Sequence, residues 1–399
     1  MSNETTSQRT WSFPFCPVPP HWALNWEGLQ AQFSWLRAME GVPQSPIFHA
    51  EGDVLIHTHN VVEALTSLEG WRALPIQERE LLFASALLHD IGKPASTKID
   101  EAGHISSRGH AQKGEFMVRQ LLWLGQELAA SLPLVPREYI ASMVRFHGLP
   151  LQFLHWIKPE RAIIAASQRV RMDHIALLAE ADVKGRICLD ANDLLERIEV
   201  FRELCKECLC YAEPRQFSDP YSRFFYFQRE ERDPDYAAYD DTEFEVVLMS
   251  GLPGVGKDTW IRQHLADRPV IALDAIRKKL KIAAEGDQGP VVAAAKEQAR
   301  EWMRKKQSFV WNATNVTRMM RQQLIELFLS YNARVRIVYL DAPFNIILQR
   351  NRNRQNSVPE QVIYKLLGKL EVPTLIEAHQ VDWIDLDALA IKGRASRVM

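Results

Sequence analysis

Phe244-Glu245-Val246-Val247-Leu248-Met249 runs into Gly251-Leu252-Pro253-Gly254-Val255-Gly256-Lys257-Asp258-Thr259. The first six residues read as a buried strand, and the next nine as a glycine-rich loop that opens a helix. In the pattern Gly-x4-Gly-Lys, Gly251, Gly254 and Gly256 let backbone N–H groups close around phosphate oxygens, whose charge the helix N-terminus favours. Lys257 reaches the β- and γ-phosphates of a nucleotide. The next position, where the pattern expects Ser or Thr, is Asp258, followed by Thr259. Asp258 therefore either meets the accompanying Mg²⁺ itself or simply profits from the helix N-terminus. Further apolar runs follow at Val270–Leu273, Phe309–Trp311 and Val335–Leu340, separated by helical segments. That alternation predicts an α/β domain with a parallel sheet.

Upstream the texture differs. From Trp22 to Glu199 apolar residues recur at three- and four-residue spacing, as in Val61-Val62, Ala64-Leu65 and Leu68, and no strand is expected. The predicted organisation is an N-terminal arm (1–20) with four prolines among aromatics, an all-α domain (21–212), a proline- and aromatic-rich connector (213–241) and the α/β domain (242–399). A length of 399 residues suits two domains, and 47% hydrophobic with 25% charged residues is ordinary for a globular chain. No run approaches the ~18 apolar residues of a membrane helix. The polar Met1–Thr10 stretch lacks signal-peptide features, so a cytoplasmic location is expected. Five cysteines argue against a disulfide framework, and Cys205-x-x-Cys208 has no second pair at zinc-finger spacing. With a net charge of −2, nucleic-acid contact would need local basic patches, of which Lys296–Lys306 and Arg350, Arg352 and Arg354 are two.

The helical half carries its own chemistry in Ala86-Leu87-Leu88-His89-Asp90-Ile91-Gly92-Lys93. His57 and Asp182 are further polar residues in largely apolar helical segments. Burial there is costly unless such groups pair or ligate something. Adjacent His89 and Asp90 point about 100° apart on a helix, so they can share an ion only if it lies between them.

His57, His89-Asp90 and Asp182 resemble the H…HD…D pattern of the HD phosphohydrolase superfamily. The segments His49-Ala50-Glu51-Gly52-Asp53-Val54-Leu55-Ile56-His57-Thr58, His89–Pro94, Gly109-His110 and Glu180–Arg186 resemble the HD domain of bacterial tRNA nucleotidyltransferases. The resemblance implies action on phosphomonoesters and 2′,3′-cyclic phosphates. It also implies one or two transition-metal ions (Mn, Fe, Co, Ni or Zn), with His110 and His147 serving a second site and Lys93 holding a phosphate oxygen.

The α/β half resembles polynucleotide 5′-kinases of the phage type. Asp274-Ala275-Ile276-Arg277 matches that family's Asp-x-x-Arg, which implies that Asp274 takes the proton of a 5′-hydroxyl and Arg277 holds the acceptor's phosphate. Asp274 also reads as a helix N-cap. The run Arg350-Asn351-Arg352-Asn353-Arg354 resembles an arginine lid over the nucleotide, with Arg350 and Arg354 ranked first by their i, i+4 spacing. Asn312-Ala313-Thr314-Asn315 resembles a substrate-side segment in which Asn312 replaces a more usual Asp. Together the two halves resemble the bacterial HD-Pnk family. This implies ATP or another NTP with Mg²⁺, RNA or DNA strand ends as substrates, and a nucleic-acid ligase as a possible partner. Two rivals stay open: a small-molecule or tRNA-directed kinase with a nucleotide-hydrolysing HD domain, and a nucleotide-sensing regulatory protein.

Overall fold

The computed structural model describes residues 11–229, 231–283 and 286–387. Met1–Thr10 and the last twelve residues of the expected α/β range lie outside these. The chain divides into two compact units between Gln216 and Phe217.

The first unit is helical: α1 (Val54–Ser67), α2 (Ile76–Leu88), α3 (His110–Leu124), α4 (Leu134–Phe146), α5 (Met172–Lys184) and α6 (Ala191–Glu207), with shorter turns between. Asp53 starts α1 by accepting from the Ile56 N–H at 2.9 Å, and Val54, Leu55, Val61, Val62 and Leu65 form its buried stripe. From the arm, buried Phe13 packs its ring 5.9 Å from Phe33 and 6.2 Å from Phe83. The expectation of no strand in this half needs one correction. Lys98–Ile99 pairs antiparallel with Ile105–Ser106, around a turn in which Asp100 accepts from the Ala102 and His104 N–H groups. Two-residue strands are too short to leave a period in the sequence.

The second unit carries β1 (Phe244–Ser250), β2 (Val270–Ala272), β3 (Phe309–Asn312), β4 (Ala333–Asp341) and β5 (Gln380–Asp385). All pairings are parallel, in the order β2-β3-β1-β4-β5. Central β1 is buried on both faces, which explains its unbroken apolar run. The fifth strand escapes sequence reading because it lies at the sheet edge, where Asp382 and Asp385 interrupt the apolar residues. Asp382 is held by the Arg336 guanidinium of β4 at 2.6 Å. The connector's aromatics pack down: helix α7 (Pro220–Gln228) places Phe224 in one buried cluster with Phe244, Phe309 and Phe328. The basic run 296–306 lies mainly on the helix Gly289–Arg304, where Arg300 and Arg304 pair with Glu297.

Candidate functional site

In the first unit the ends of several helices bring the ionisable residues together. Helix α2 stops at Leu88, and the Lys93 N–H donates to Asp90 O at 2.8 Å, which turns the chain sharply. Gly92 permits the next step. A Cβ there would lie 2.1 Å from His110 O and 2.9 Å from Gly114 N, so only glycine lets the start of α3 approach so closely. His110 is thereby set beside Asp90.

The histidines are oriented alike. Nδ1–H of His89 donates to Ala86 O at 2.7 Å, that of His110 to Ser107 O at 2.8 Å, and that of His147 to Val144 O at 2.7 Å. Since the acceptors are carbonyls, Nδ1 carries the proton and Nε2 offers a lone pair. Those Nε2 atoms converge: His89 on His57 at 3.3 Å and His110 on His147 at 3.2 Å. At His110 and His147, where both facing nitrogens carry lone pairs, these repel unless a cation lies between them. Asp90 joins both pairs, with Oδ2 3.1 Å from His89 and 3.7 Å from His57, and Oδ1 3.3 Å from His110 and 4.0 Å from His147. Asp90 Oδ1 is buried and makes no hydrogen bond. Asp90 takes part in two ligand triplets, His57-His89-Asp90 and Asp90-His110-His147, and a third group, His49-Glu51-His57, lies beside them; in each the ligand atoms lie within 4.8 Å of one another. This donor set fits one or two divalent transition ions.

Asp182 closes the first triplet, 3.1 Å from His57 Nε2, and is itself clamped through both oxygens by Arg186. Burial pushes the Asp90 carboxyl upward, but Lys93, His89 and His110 outweigh it and hold the group well below the usual carboxylate range. At Asp182, burial is likewise overcome by Arg186 and His57. Burial, reinforced by His110 and His89, lowers His147 to about 3, and burial also lowers His110, both toward the neutral form that ligates a metal; at His89, burial is outweighed by Asp90 and Asp182, which raise it. Lys93 Nζ lies 2.6 Å from Asp90 Oδ2 and 2.6 Å from Gln44 Oε1.

Sequence reasoning assigned no role to three neighbours. Glu51 Oε1 lies 2.8 Å from His49 Nδ1 and 2.9 Å from His57 Nδ1, the latter too oblique for a straight hydrogen bond. Its Oε2 accepts from the Ile187 N–H at 2.8 Å. An acid two residues after a histidine was the available signal for Glu51 and His49; Gln44 offered none.

In the second unit, β1 delivers the loop and α8 (Lys257–His264) leaves it. Gly254 has φ +84, and a Cβ there would sit 2.7 Å from Ile347 O. Lys257 Nζ folds onto Gly251 O at 2.8 Å and Leu252 O at 3.0 Å. Burial lowers its pKa to about 8, with Asp258 and Asp274 opposing and Arg354 assisting. Asn315 Nδ2 donates to Met249 O at 2.7 Å, and the Gly251 N–H to Thr314 O at 3.0 Å, so the segment after β3 pins the end of β1 and the start of the loop.

Asp274 is the second residue of α9 (Leu273–Lys279). The cap is Ala272, and the Asp274 side chain meets the Arg277 guanidinium instead, so the N-cap alternative does not hold. Arg350 Nη1 donates to Val255 O at 3.0 Å, which ties α10 (Phe344–Arg352) to the loop, while Arg352 pairs with Glu360 at the surface. The helix ends at Arg352, so Arg354 lies beyond it and the i, i+4 face is not what positions it. Thr259 is exposed and contacts Arg262. Among the described residues no metal-ligand group contains a cysteine.

Residues 54–177 match the HD domain model, and residues 246–373 match the AAA_33 model, described as an AAA domain. The chain therefore carries a helical HD domain followed by a kinase-like P-loop domain. It is 24% identical to L-seryl-tRNA(Sec) kinase of Methanococcus maripaludis over 32% of this chain and 53% of that protein. It is 30% identical to the Multifunctional CCA protein of Hahella chejuensis over 40% of this chain and 35% of that protein, and likewise 30% to that of Nitrosococcus oceani over 40% and 36%. The chain thus spans about half of the first relative and about a third of the other two. A sugar kinase structure from Janibacter is 20% identical, with a TM-score of 0.30, covering 38% of this chain and 92% of that one.

Proposed function

We propose that this chain heals broken nucleic-acid ends, phosphorylating 5′-hydroxyls with ATP and removing 2′- or 3′-terminal or 2′,3′-cyclic phosphate. The observation that carries the reading is the pairing in one chain of a metal-type phosphohydrolase centre with a phosphate loop beside the Asp274–Arg277 pair. A broken strand needs a phosphate removed at one terminus and added at the other. One relative is by name a kinase of L-seryl-tRNA(Sec), a substrate that contains RNA.

In the helical unit, His57, His89, Asp90 and Asp182 would hold one ion, and Asp90, His110 and His147 a second. When bound, such ions polarise a phosphate ester and acidify a water. Lys93 then offers its ammonium to a phosphate oxygen. In the α/β unit, the Gly251–Gly256 backbone cradles the nucleotide phosphates, and Lys257, Arg350 and Arg354 offset charge on the migrating phosphoryl. Asp274 accepts the acceptor hydroxyl's proton and Arg277 holds the acceptor's phosphate.

The test is an end-group assay on matched RNA and DNA strands that scores transfer from labelled ATP to 5′-hydroxyl ends and loss of 3′-end phosphate together. The second reading, a tRNA-directed or small-molecule kinase, is favoured by that same relative's name. It gains if transfer occurs to aminoacyl-tRNA or to sugars and not to strand ends. The expected setting is the cytoplasm, with a ligase as partner; among the described residues no helix is long and apolar enough to cross a membrane.

A further inference from the structure

Asp258 and Asn312 both depart from the phosphate-loop kinase pattern, and the structure brings them into contact. Asp258 is the second residue of α8, and Asn312 is the last residue of β3, which lies parallel to β1. Asn312 Nδ2 donates to Asp258 Oδ1 at 2.6 Å. Among the described residues Asp258 Oδ2 makes no hydrogen bond or ion pair. Asp258 also lies close enough to Lys257 for its charge to act on the ammonium.

In phosphate loops the residue after the lysine is a hydroxyl that touches Mg²⁺, and a carboxylate on a neighbouring strand completes the ion's surroundings. Here the two chemistries are exchanged: the carboxylate sits on the helix and the neutral side chain on the strand. The pair keeps one negative charge, but moves it to the helix start, beside the phosphates. A carboxylate oxygen is a hard ligand suited to Mg²⁺. We propose that Asp258 is the direct protein ligand of the nucleotide's Mg²⁺, and that Asn312 is a positioning residue that turns its free oxygen toward the ion. The inference rests on the kinase reading of this unit, and on no particular acceptor.

Two structural alternatives make different demands. If Asp258 only complements the helix N-terminus, replacing it alters stability and leaves ion dependence intact. If the contact with Asn312 only braces the loop, nucleotide binding weakens equally with and without the ion.

The experiment titrates a fluorescent ATP analogue into the full chain, in Mg²⁺ and in EDTA. Wild type is expected to bind more tightly in Mg²⁺. Asp258→Ala should keep its affinity in EDTA, which also reports an intact loop, and lose the gain from Mg²⁺. Asn312→Ala should reduce the Mg²⁺-dependent affinity about tenfold, as loss of a residue that orients a ligand does. The double variant Asp258→Ser with Asn312→Asp should regain the ion dependence that Asp258→Ser lacks. A full Mg²⁺ gain in Asp258→Ala, or equal weakening in both buffers, overturns the assignment. Failure of wild type to bind the analogue at all overturns the kinase reading, and this inference with it.

Discussion

Asp90 faces four imidazoles, His89 and His57 through Oδ2 and His110 and His147 through Oδ1. Because it belongs to both triplets, its loss should remove every ion, whereas loss of His147 should remove one. Metal analysis of purified Asp90→Ala and His147→Ala should therefore give zero and about half the wild-type content, with phosphate removal abolished in the first. Equal metal content in the Asp90 variant and wild type would refute the centre. On the kinase side, Asp274→Asn keeps the size of the side chain and removes a proton acceptor. It should retain ATP binding while transfer to a 5′-hydroxyl falls by about 10²-fold or more. Near-normal turnover would leave Asp274 an orienting group for Arg277. The cluster of His57, His89, Asp90 and Asp182 was legible because polar groups in apolar helices demand partners, whereas His110 and His147 were named only through the family resemblance. Glu51 and Gln44 were obscure because they act on other side chains, and such contacts depend on loop geometry that has no period.

At the scale of elements, α3 brings His110 to Asp90 and would thereby supply a ligand of a second ion, and two devices hold it. The first is the close approach at Gly92. Gly92→Ala should push the start of α3 away from the His89–Asp90 turn. The expected result is a lowered melting temperature, with the metal content cut by about half, read by calorimetry and metal analysis. The second device is a buried ion network: Arg119 donates to Glu115 and Glu138 at 2.9 Å, and Arg169 donates to Glu115 at 2.6 Å. Burial pushes Glu115 up, but Arg169 and Arg119 outweigh it and lower its pKa from 4.5 to about 2. A depressed carboxylate pKa means stability that is full above the unfolded value and is lost as pH falls through the folded one. Wild type should therefore lose up to about 3 kcal/mol from this group between pH 4.5 and 2. Glu115→Gln should be less stable at pH 7 and lack that part of the slope, as urea titrations across the range would show. An unchanged slope would mean that Glu115 titrates alike in the folded and the unfolded chain, and that the network does not depress it. Neither device is visible in the sequence, since an i, i+4 Glu-Arg pair usually marks a solvated face.

At the scale of the molecule, the order of the two domains and their classes were readable because hydrophobic periodicity changes character between them, from helical spacing to short apolar runs. The edge strand β5 was not, since only Val381 in it is buried and its apolar residues are interrupted by charge. The hairpin at 98–106 was not, because a local turn and not a core sets it. The chain's division into two compact units separates the two chemistries. The ligand triplets lie wholly in the first unit, and the phosphate loop with Asp274, Arg277 and Arg350 lies wholly in the second. Each chemistry should then fail alone. On the proposed reading Lys257→Ala removes a charge that would stabilise the migrating phosphoryl, and should reduce phosphorylation by about 10²-fold or more while phosphate removal stays within a factor of about two. His89→Ala, with His57→Ala and Asp182→Ala alike, takes a ligand from the ion, and should reverse that pattern. Transition metals should restore chelated phosphatase, while the kinase should run on Mg²⁺, since imidazole-rich sites and phosphate-bound ions favour different metals. Both activities measured on each purified variant, with circular dichroism to show the fold intact, decide the matter. Parallel loss of the two in a folded Lys257→Ala chain would mean one shared site, and the two-centre account would have to be abandoned.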